Sequence, residues 1–156
     1  MLVPHYAFSV SAILKRKPLA ATARRAGWIG CNIQLENIPP AARIPVIIEG
    51  AFLEKSMVRD SYSRLKSLQT LSTTQRGWTL DVLRLIQVRE WTGFSTKQAY
   101  SLESELRTLY PTNSHIKEKI RQQLQVLRNQ GVLEHVQRGV WRLATHFQAG
   151  YAPVAT

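Results

Sequence analysis

The chain reads as an α+β protein whose C-terminal half is a winged helix, the helix-turn-helix variant whose third helix enters the major groove of DNA. Three observations predict it. Residues 116–127 repeat apolar side chains at helical spacing. "VLEHVQRGVWRLA" (132–144) reads as two short strands around a turn at Arg138–Gly139. Cap and stop residues divide the preceding stretch into helix, short strand, helix and helix.

Each element follows from its residues. Thr79 is placed to cap a helix from Leu80, with Leu80, Leu83, Ile86 and Val88 facing inward. "TGF" (92–94) marks a break and a short strand. Ser95 or Thr96 caps a second helix carrying Ala99, Leu102, Leu106 and Leu109, and Pro111 blocks its continuation. Asn113 or Ser114 opens the third helix, and Gly131 ends it. Upstream, "TLSTTQRG" (70–77) is polar and β-branched and ends in glycine, as a linker would. The expected organisation is an N-terminal segment 1–72, a linker 73–76, a winged helix 77–146 and a tail 147–156. Within the first segment "ARIPVIIEG" (42–50) looks like a strand despite Pro45. Residues 53–71 look helical, with Met57, Tyr62, Leu65 and Leu68 roughly on one side.

Composition narrows the function. The 156 residues are 44% hydrophobic, which supports a packed core and excludes wholesale disorder. The net charge is +11, with 21 Lys and Arg against 10 Asp and Glu. The excess occurs in both halves, so a polyanion, most simply nucleic acid, is the expected partner. A membrane surface would demand a basic helix whose wide apolar face has nothing else to pack on, and each apolar face here has an internal partner. Cys31 is the only cysteine, which excludes an intrachain disulfide and fits a reducing cytosol. His5, His115, His135 and His146 lack ligand spacing, so no metal site is expected from them. "YAFSVSAIL" precedes "KRK", the reverse of a signal peptide.

The third helix is the candidate reading head. At about 100° per residue Ile116, Ile120, Leu124 and Leu127 fall on one stripe. Ser114, Glu118, Gln122, Gln125 and Asn129 gather opposite, with Arg121 and Arg128 on the border. Buried amides would each need partners, so this face belongs in solvent. A merely solvated helix usually carries Glu and Lys pairs. Gln and Asn are instead the side chains that pair with adenine edges, and Arg the one that pairs with guanine. Arg121, Gln122 and Gln125 are therefore the candidates for base edges, and Lys117, Lys119 and Arg128 for phosphates. Arg138, at the tip of the wing, is either a further phosphate or minor-groove contact or an ordinary solvated turn residue. Trp78, Trp91 and Trp141 read as core or boundary residues.

In the N-terminal segment "TARRAGWIGCN" (22–32) sets Trp28 between two glycines and just after Arg24 and Arg25. Glycines let backbone approach a ligand, the arginines could hold phosphates, and the indole could stack on a base. Taken alone, these residues leave Trp28 open between a base contact and a core anchor.

Two longer stretches carry a resemblance. "KRKPLAATARRAGWIGCNIQLENIP" and "KIRQQLQVLRNQGVLEHVQRGVWR", with "RGWTLDVL" and "AYSLESEL" between them in order, resemble the methyl-directed restriction endonucleases of the DpnI or Dam-replacing family. The likeness spans roughly residues 1–143. It implies that 1–72 is the C-terminal part of a PD-(D/E)xK nuclease domain, a restriction-endonuclease-like α/β segment, placed before the winged helix. It also implies a bacterial cytoplasmic enzyme that cuts GATC duplex DNA methylated at adenine N6, with Mg²⁺ as cofactor of the full-length protein. Trp28 then becomes an expected contact to the methylated adenine, for which an indole face suits the methyl group.

The sequence departs from the family in one respect. No Asp or Glu is followed two positions later by Lys, and the acidic residues form no cluster of the kind that holds Mg²⁺ for phosphodiester hydrolysis. No catalytic residue, metal ligand or cofactor is therefore assigned in this chain. Its start is read as already past the catalytic stretch, leaving a DNA-binding portion that binds without cutting alone. Two alternatives stay open: a nuclease half completed by a separate N-terminal fragment, and a winged-helix transcriptional regulator. If a nuclease half is absent, Phe8, Val10, Ile13 and Leu14 should be exposed or only partly buried, and residues 1–70 should be poorly packed beside a stable winged helix.

Overall fold

Ten of the eleven residues from Gly77 to Gln87, all but Arg84, are buried, so their helix has almost no wet face and must be enclosed by the rest of the chain. In the computed structural model, which describes residues 1–148, that helix is α2 (Thr73–Val88). Before it come two hairpins, β1 (Ile13–Lys15) with β2 (Cys31–Ile33) and β3 (Ile47–Ile48) with β4 (Ala51–Phe52), several single 3₁₀ turns, and α1 (Lys55–Arg64). After it come β5 (Gly93–Ser95), α3 (Thr96–Ala99), α4 (Glu103–Leu109), α5 (Ile116–Asn129), β6 (Leu133–Gln137), β7 (Val140–Leu143) and α6 (Thr145–Gln148).

The C-terminal part is the expected winged helix. β5, β7 and β6 form one antiparallel sheet in that spatial order, with Phe94 opposite Trp141 and Leu133 opposite Leu143. The second helix divides into α3 and α4 through a 3₁₀ turn at Tyr100–Leu102. Its start is a complete capping box: Ser95 Oγ accepts from Gln98 N, and Gln98 Oε1 accepts from Ser95 N. Ala99, Leu102 and Leu106 are buried as the periodicity requires, while Leu109 is half-buried. The chain turns between β6 and β7 at Gly139, whose φ of +74° would strain any side-chain-bearing residue.

Several local expectations are corrected. Residues 73–76 are not a linker: they form the first turn of α2, capped by Ser72, whose Oγ accepts from Gln75 N at 3.3 Å. Tertiary burial of the following turns overrides the weak helix propensity of "STT". Thr79 is accordingly no cap but an interior residue, its hydroxyl 2.8 Å from Gln75 O and 2.8 Å from Gln123 Oε1. Val88 is exposed where an inward position was expected, because α2 ends there. The N-cap of α5 is His115, and Asn113 acts one step earlier by accepting from His115 N at 2.8 Å. Only Ile47–Ile48 of 42–50 are strand, and the 53–71 helix gives way after Arg64 to a 3₁₀ turn at Lys66–Thr70. Met57 is exposed, whereas Tyr62 is half-buried and Leu65 and Leu68 are fully buried. Phe147, assigned to a tail, is instead a buried residue of α6 that belongs to the same core cluster. The remainder of that tail, from 149 on, lies outside the described residues.

The N-terminal segment has two characters. Val10, Ile13 and Leu14 are exposed and Phe8 is half-buried, as expected. Tyr6, Ala7, Ala12, Ile38, Ala42, Leu65 and Leu68, however, belong to one continuous core with α2, α5 and the sheet. The join between the two parts is polar at its centre. Asp81, fully buried on α2, accepts from Ser9 Oγ at 3.1 Å, Ser11 Oγ at 2.6 Å and Tyr110 Oη at 2.5 Å. Burial pushes its carboxyl above the usual aspartate range, while the hydroxyls of Ser11, Tyr110 and Ser9 and the charge of Arg84 oppose that rise. Tyr110 in turn lies flat on Trp78 with ring centroids 3.6 Å apart. Two further bonds cross the join: Ala41 N donates to Gln87 Oε1 at 3.2 Å, and Ser67 Oγ to Gln130 O at 3.1 Å.

Asp81→Ala strands three hydroxyls without their shared acceptor and should cost about 2–5 kcal/mol in urea unfolding, with Asp81→Asn costing less. One cooperative transition, observed by both far-UV circular dichroism and Trp fluorescence, is expected for the parent chain. Two separated transitions would show that the winged helix and residues 1–71 are independent.

Candidate nucleic-acid interface

The interface is built on α5, which must bury one stripe before it can present the other. Ile116, Ile120, Leu124 and Leu127 are fully buried, each contributing about 1.5–3 kcal/mol by leaving water. Gln123 is buried between them, with Thr79 of α2 at its side-chain oxygen. This anchored polar residue escaped the stripe drawn from sequence, although a position between Ile120 and Leu124 should have marked it as inward and in need of a partner.

With that stripe fixed against α2, Glu118, Arg121, Gln122, Gln125, Arg128 and Asn129 all face solvent. Arg121, Gln122 and Gln125 are thus brought together on one outward face, as the sequence predicts. The candidate phosphate cations differ from one another. Lys117 Nζ lies 3.4 Å from Glu103 Oε2, and that carboxylate also accepts from Arg107 Nη2 at 2.6 Å. The Arg107 bond, helped by Lys117, holds Glu103 below the usual glutamate range. Lys119 is half-buried and donates to Gln122 Oε1 at 3.1 Å, so in the free helix that amide oxygen already has a donor. Arg128 donates through Nε and Nη2 to Asn129 Oδ1 at 3.2 and 3.0 Å.

The wing is fastened to the start of α3. Gly139 O accepts from Thr96 N at 2.8 Å, Trp141 Nε1 donates to Thr96 Oγ1 at 2.8 Å, and Arg138 stands exposed beside this knot. Trp141 is buried, as its inward strand position implies, and so is Trp78, while Trp91 is half-buried.

The third element is an arm, residues 16–30, between β1 and β2. It is closed by Arg16 N donating to Gly30 O, Leu19 N to Trp28 O and Trp28 N to Arg25 O at 3.0, 2.9 and 3.1 Å. Arg24 and Arg25 are exposed. Trp28 is 56% exposed, which excludes the core-anchor reading. Its ring lies over Gly30, where a methyl group would come within 3.0 Å of the indole, so glycine is what allows the ring to fold back. The sequence-predicted residues therefore occupy three surfaces: helix, wing and arm.

Helix, strand, helix, helix and hairpin, with an exposed amide-and-guanidinium face on the third helix, define a DNA-binding protein of the winged helix-turn-helix class. Residues 74–143 match the Dam-replacing HTH domain, and residues 1–71 match the Dam-replacing family of DpnI. The chain belongs to that family and carries the DNA-binding part of a DpnI-like restriction endonuclease.

Among the described residues no group of three or more His, Cys, Asp or Glu side chains is placed to bind a metal ion. Asp81, the most buried carboxylate, is already occupied by hydroxyl donors. Among the described residues no helix is long and apolar enough to cross a membrane.

Glu103→Gln should free Lys117, tighten binding to any duplex and steepen its salt dependence, as measured by fluorescence anisotropy across a salt series. Gly30→Ala should displace the Trp28 ring and shift that residue's emission, read against a Trp28→Phe control.

Proposed function

We propose that this chain recognises GATC duplex DNA methylated at adenine N6, with α5 laid in the major groove and the Trp28 arm against the methylated base, and that it binds without cutting alone. The observation that carries this reading is the exposed Arg121–Gln122–Gln125 face, set opposite a stripe that is fully buried. Amides and guanidiniums in that position match adenine and guanine edges. An N6-methyl group needs an apolar surface while leaving one N–H to satisfy, and the solvent-facing indole of Trp28 between Arg25 and Gly30 supplies such a surface. Lys117, Lys119, Arg128 and Arg138 hold phosphates around α5, and Arg24 and Arg25 do so around the arm. Lys119 leaves Gln122 for a phosphate on binding, which frees the amide oxygen to accept from a base.

A second reading, in which a separate polypeptide bearing the catalytic carboxylates completes a nuclease, is favoured by the exposed apolar side chains Val10, Ile13, Leu14 and Ile33 around the β1–β2 hairpin. It predicts Mg²⁺-dependent cleavage of methylated GATC duplex when the chain is mixed with the catalytic region of a family enzyme, and none from either alone. A winged-helix transcriptional regulator predicts binding indifferent to adenine methylation.

Gln122→Ala or Arg121→Ala should weaken binding to the methylated site by about 1–3 kcal/mol and relax sequence preference there. Lys117→Ala should weaken all duplexes alike and flatten the salt slope. Trp28→Ala should abolish the preference for methylated over unmethylated DNA while sparing most of the affinity. Unchanged discrimination in that variant would refute the role given to the indole.

A further inference from the structure

The wing tip carries Arg138, but a glycine turn between two short strands does not by itself hold an arginine in register with a helix. Three contacts from one residue do so. Thr96, the first residue of α3, donates its backbone N–H to Gly139 O at 2.8 Å, and its hydroxyl lies 3.3 Å from the same oxygen. The hydroxyl oxygen also accepts from Trp141 Nε1 at 2.8 Å. Trp141 sits at the centre of the sheet, opposite Phe94 on one side and His135 on the other. Through Ser95, the preceding residue, Thr96 is tied to the capping box that sets the direction of α3. One hydroxyl thus links the outermost turn of the wing, the central strand and the start of α3.

We propose that Thr96 is a positioning residue for DNA recognition: its hydroxyl, clasped between the Gly139 carbonyl and the Trp141 indole, sets where Arg138 meets the duplex relative to the α5 reading face. The inference rests on the proposed role of Arg138 at phosphate or minor groove. Without the hydroxyl, the Trp141 N–H loses its acceptor and the Gly139 carbonyl keeps only the backbone donor. The hairpin remains paired through β6 and β7, so the tip gains freedom while the fold persists. Serine keeps the hydroxyl and should keep its function. Valine keeps the shape and removes it.

The test compares the parent chain, Thr96→Val, Thr96→Ser, Arg138→Ala and the double variant Thr96→Val/Arg138→Ala. Affinity for a methylated GATC duplex and its salt dependence are measured together with the Trp141 indole N–H resonance and amide exchange at the tip. Thr96→Val should weaken binding about two- to tenfold, the range of one lost hydrogen bond, shift the indole resonance and speed exchange at the tip. Thr96→Ser should bind like the parent, and Thr96→Val should add nothing once Arg138 is gone. A Thr96→Val loss that persists in the Arg138→Ala background, or equal loss in Thr96→Ser, overturns the positioning role. So does parent-like binding by Thr96→Val beside a clear loss in Arg138→Ala. Arg138→Ala binding like the parent overturns the wing contact itself, and the inference with it, even if tip exchange in Thr96→Val is fast. If Thr96→Val is poorly folded by circular dichroism, Gly139→Ala supplies the second variant. It displaces the tip from its positive φ with the Thr96 hydroxyl intact and should reproduce the loss only where Arg138 is present.

Discussion

The buried carboxylate of Asp81 is the constraint on which the rest of the architecture depends. A charge in that position is tolerable only while hydroxyls converge on it, and they come from both parts of the chain: Ser9 and Ser11 from the N-terminal segment, Tyr110 from the end of α4. Because the donors are separated so widely in sequence, the carboxylate can be satisfied only when 1–71 and the winged helix are docked. Tyr110 is held for this task by stacking on Trp78, one turn before Asp81 on α2. Docking, helix position and the exit of α4 are therefore settled by one cluster.

From there the consequences run outward to function. α2 carries Thr79 as well as Asp81, and Thr79 meets Gln123 inside α5. The same helix that locks onto the N-terminal segment thus fixes the rotation of α5, and rotation decides which side chains face outward. Arg121, Gln122 and Gln125 face outward because Ile116, Ile120, Gln123, Leu124 and Leu127 have nowhere else to go. The polar contact adds what hydrophobic burial lacks, since greasy stripes tolerate rotation whereas a buried amide does not.

The outer elements are fastened more lightly, as suits surfaces that meet a flexible partner. The wing is tied at Thr96, and the arm is closed by backbone bonds and by the fold of Trp28 over Gly30. The side-chain pairs of α5 lie at the surface: Lys119 with Gln122 and Arg128 with Asn129 along the helix, and Lys117 with Glu103 of α4. Surface pairs of this kind contribute little to the stability of the free protein.

Much of this was legible in the residue order. Helical periodicity determined the outward face of α5, because side chains about 100° apart share a stripe whatever the fold around them. Turn chemistry determined the hairpin at Gly139 and the stop at Gly131, and charge determined the class of partner. Local pattern misjudged the start of α2, where a polar β-branched run resembles a linker until neighbours bury the turns that follow it. Nor could it show that Trp28 is exposed, that Phe147 is core, or that Asp81, Gln123 and Thr96 matter. Their roles are set by partners 70, 44 and 45 residues away, at Ser11, Thr79 and Trp141, and such pairings exist only once the chain has closed on itself. The sequence by itself determined which face of α5 was wet and which dry. The tertiary structure alone decided which buried polar groups would meet, because a hydrogen bond depends on distance in space and a periodicity only on distance along the chain.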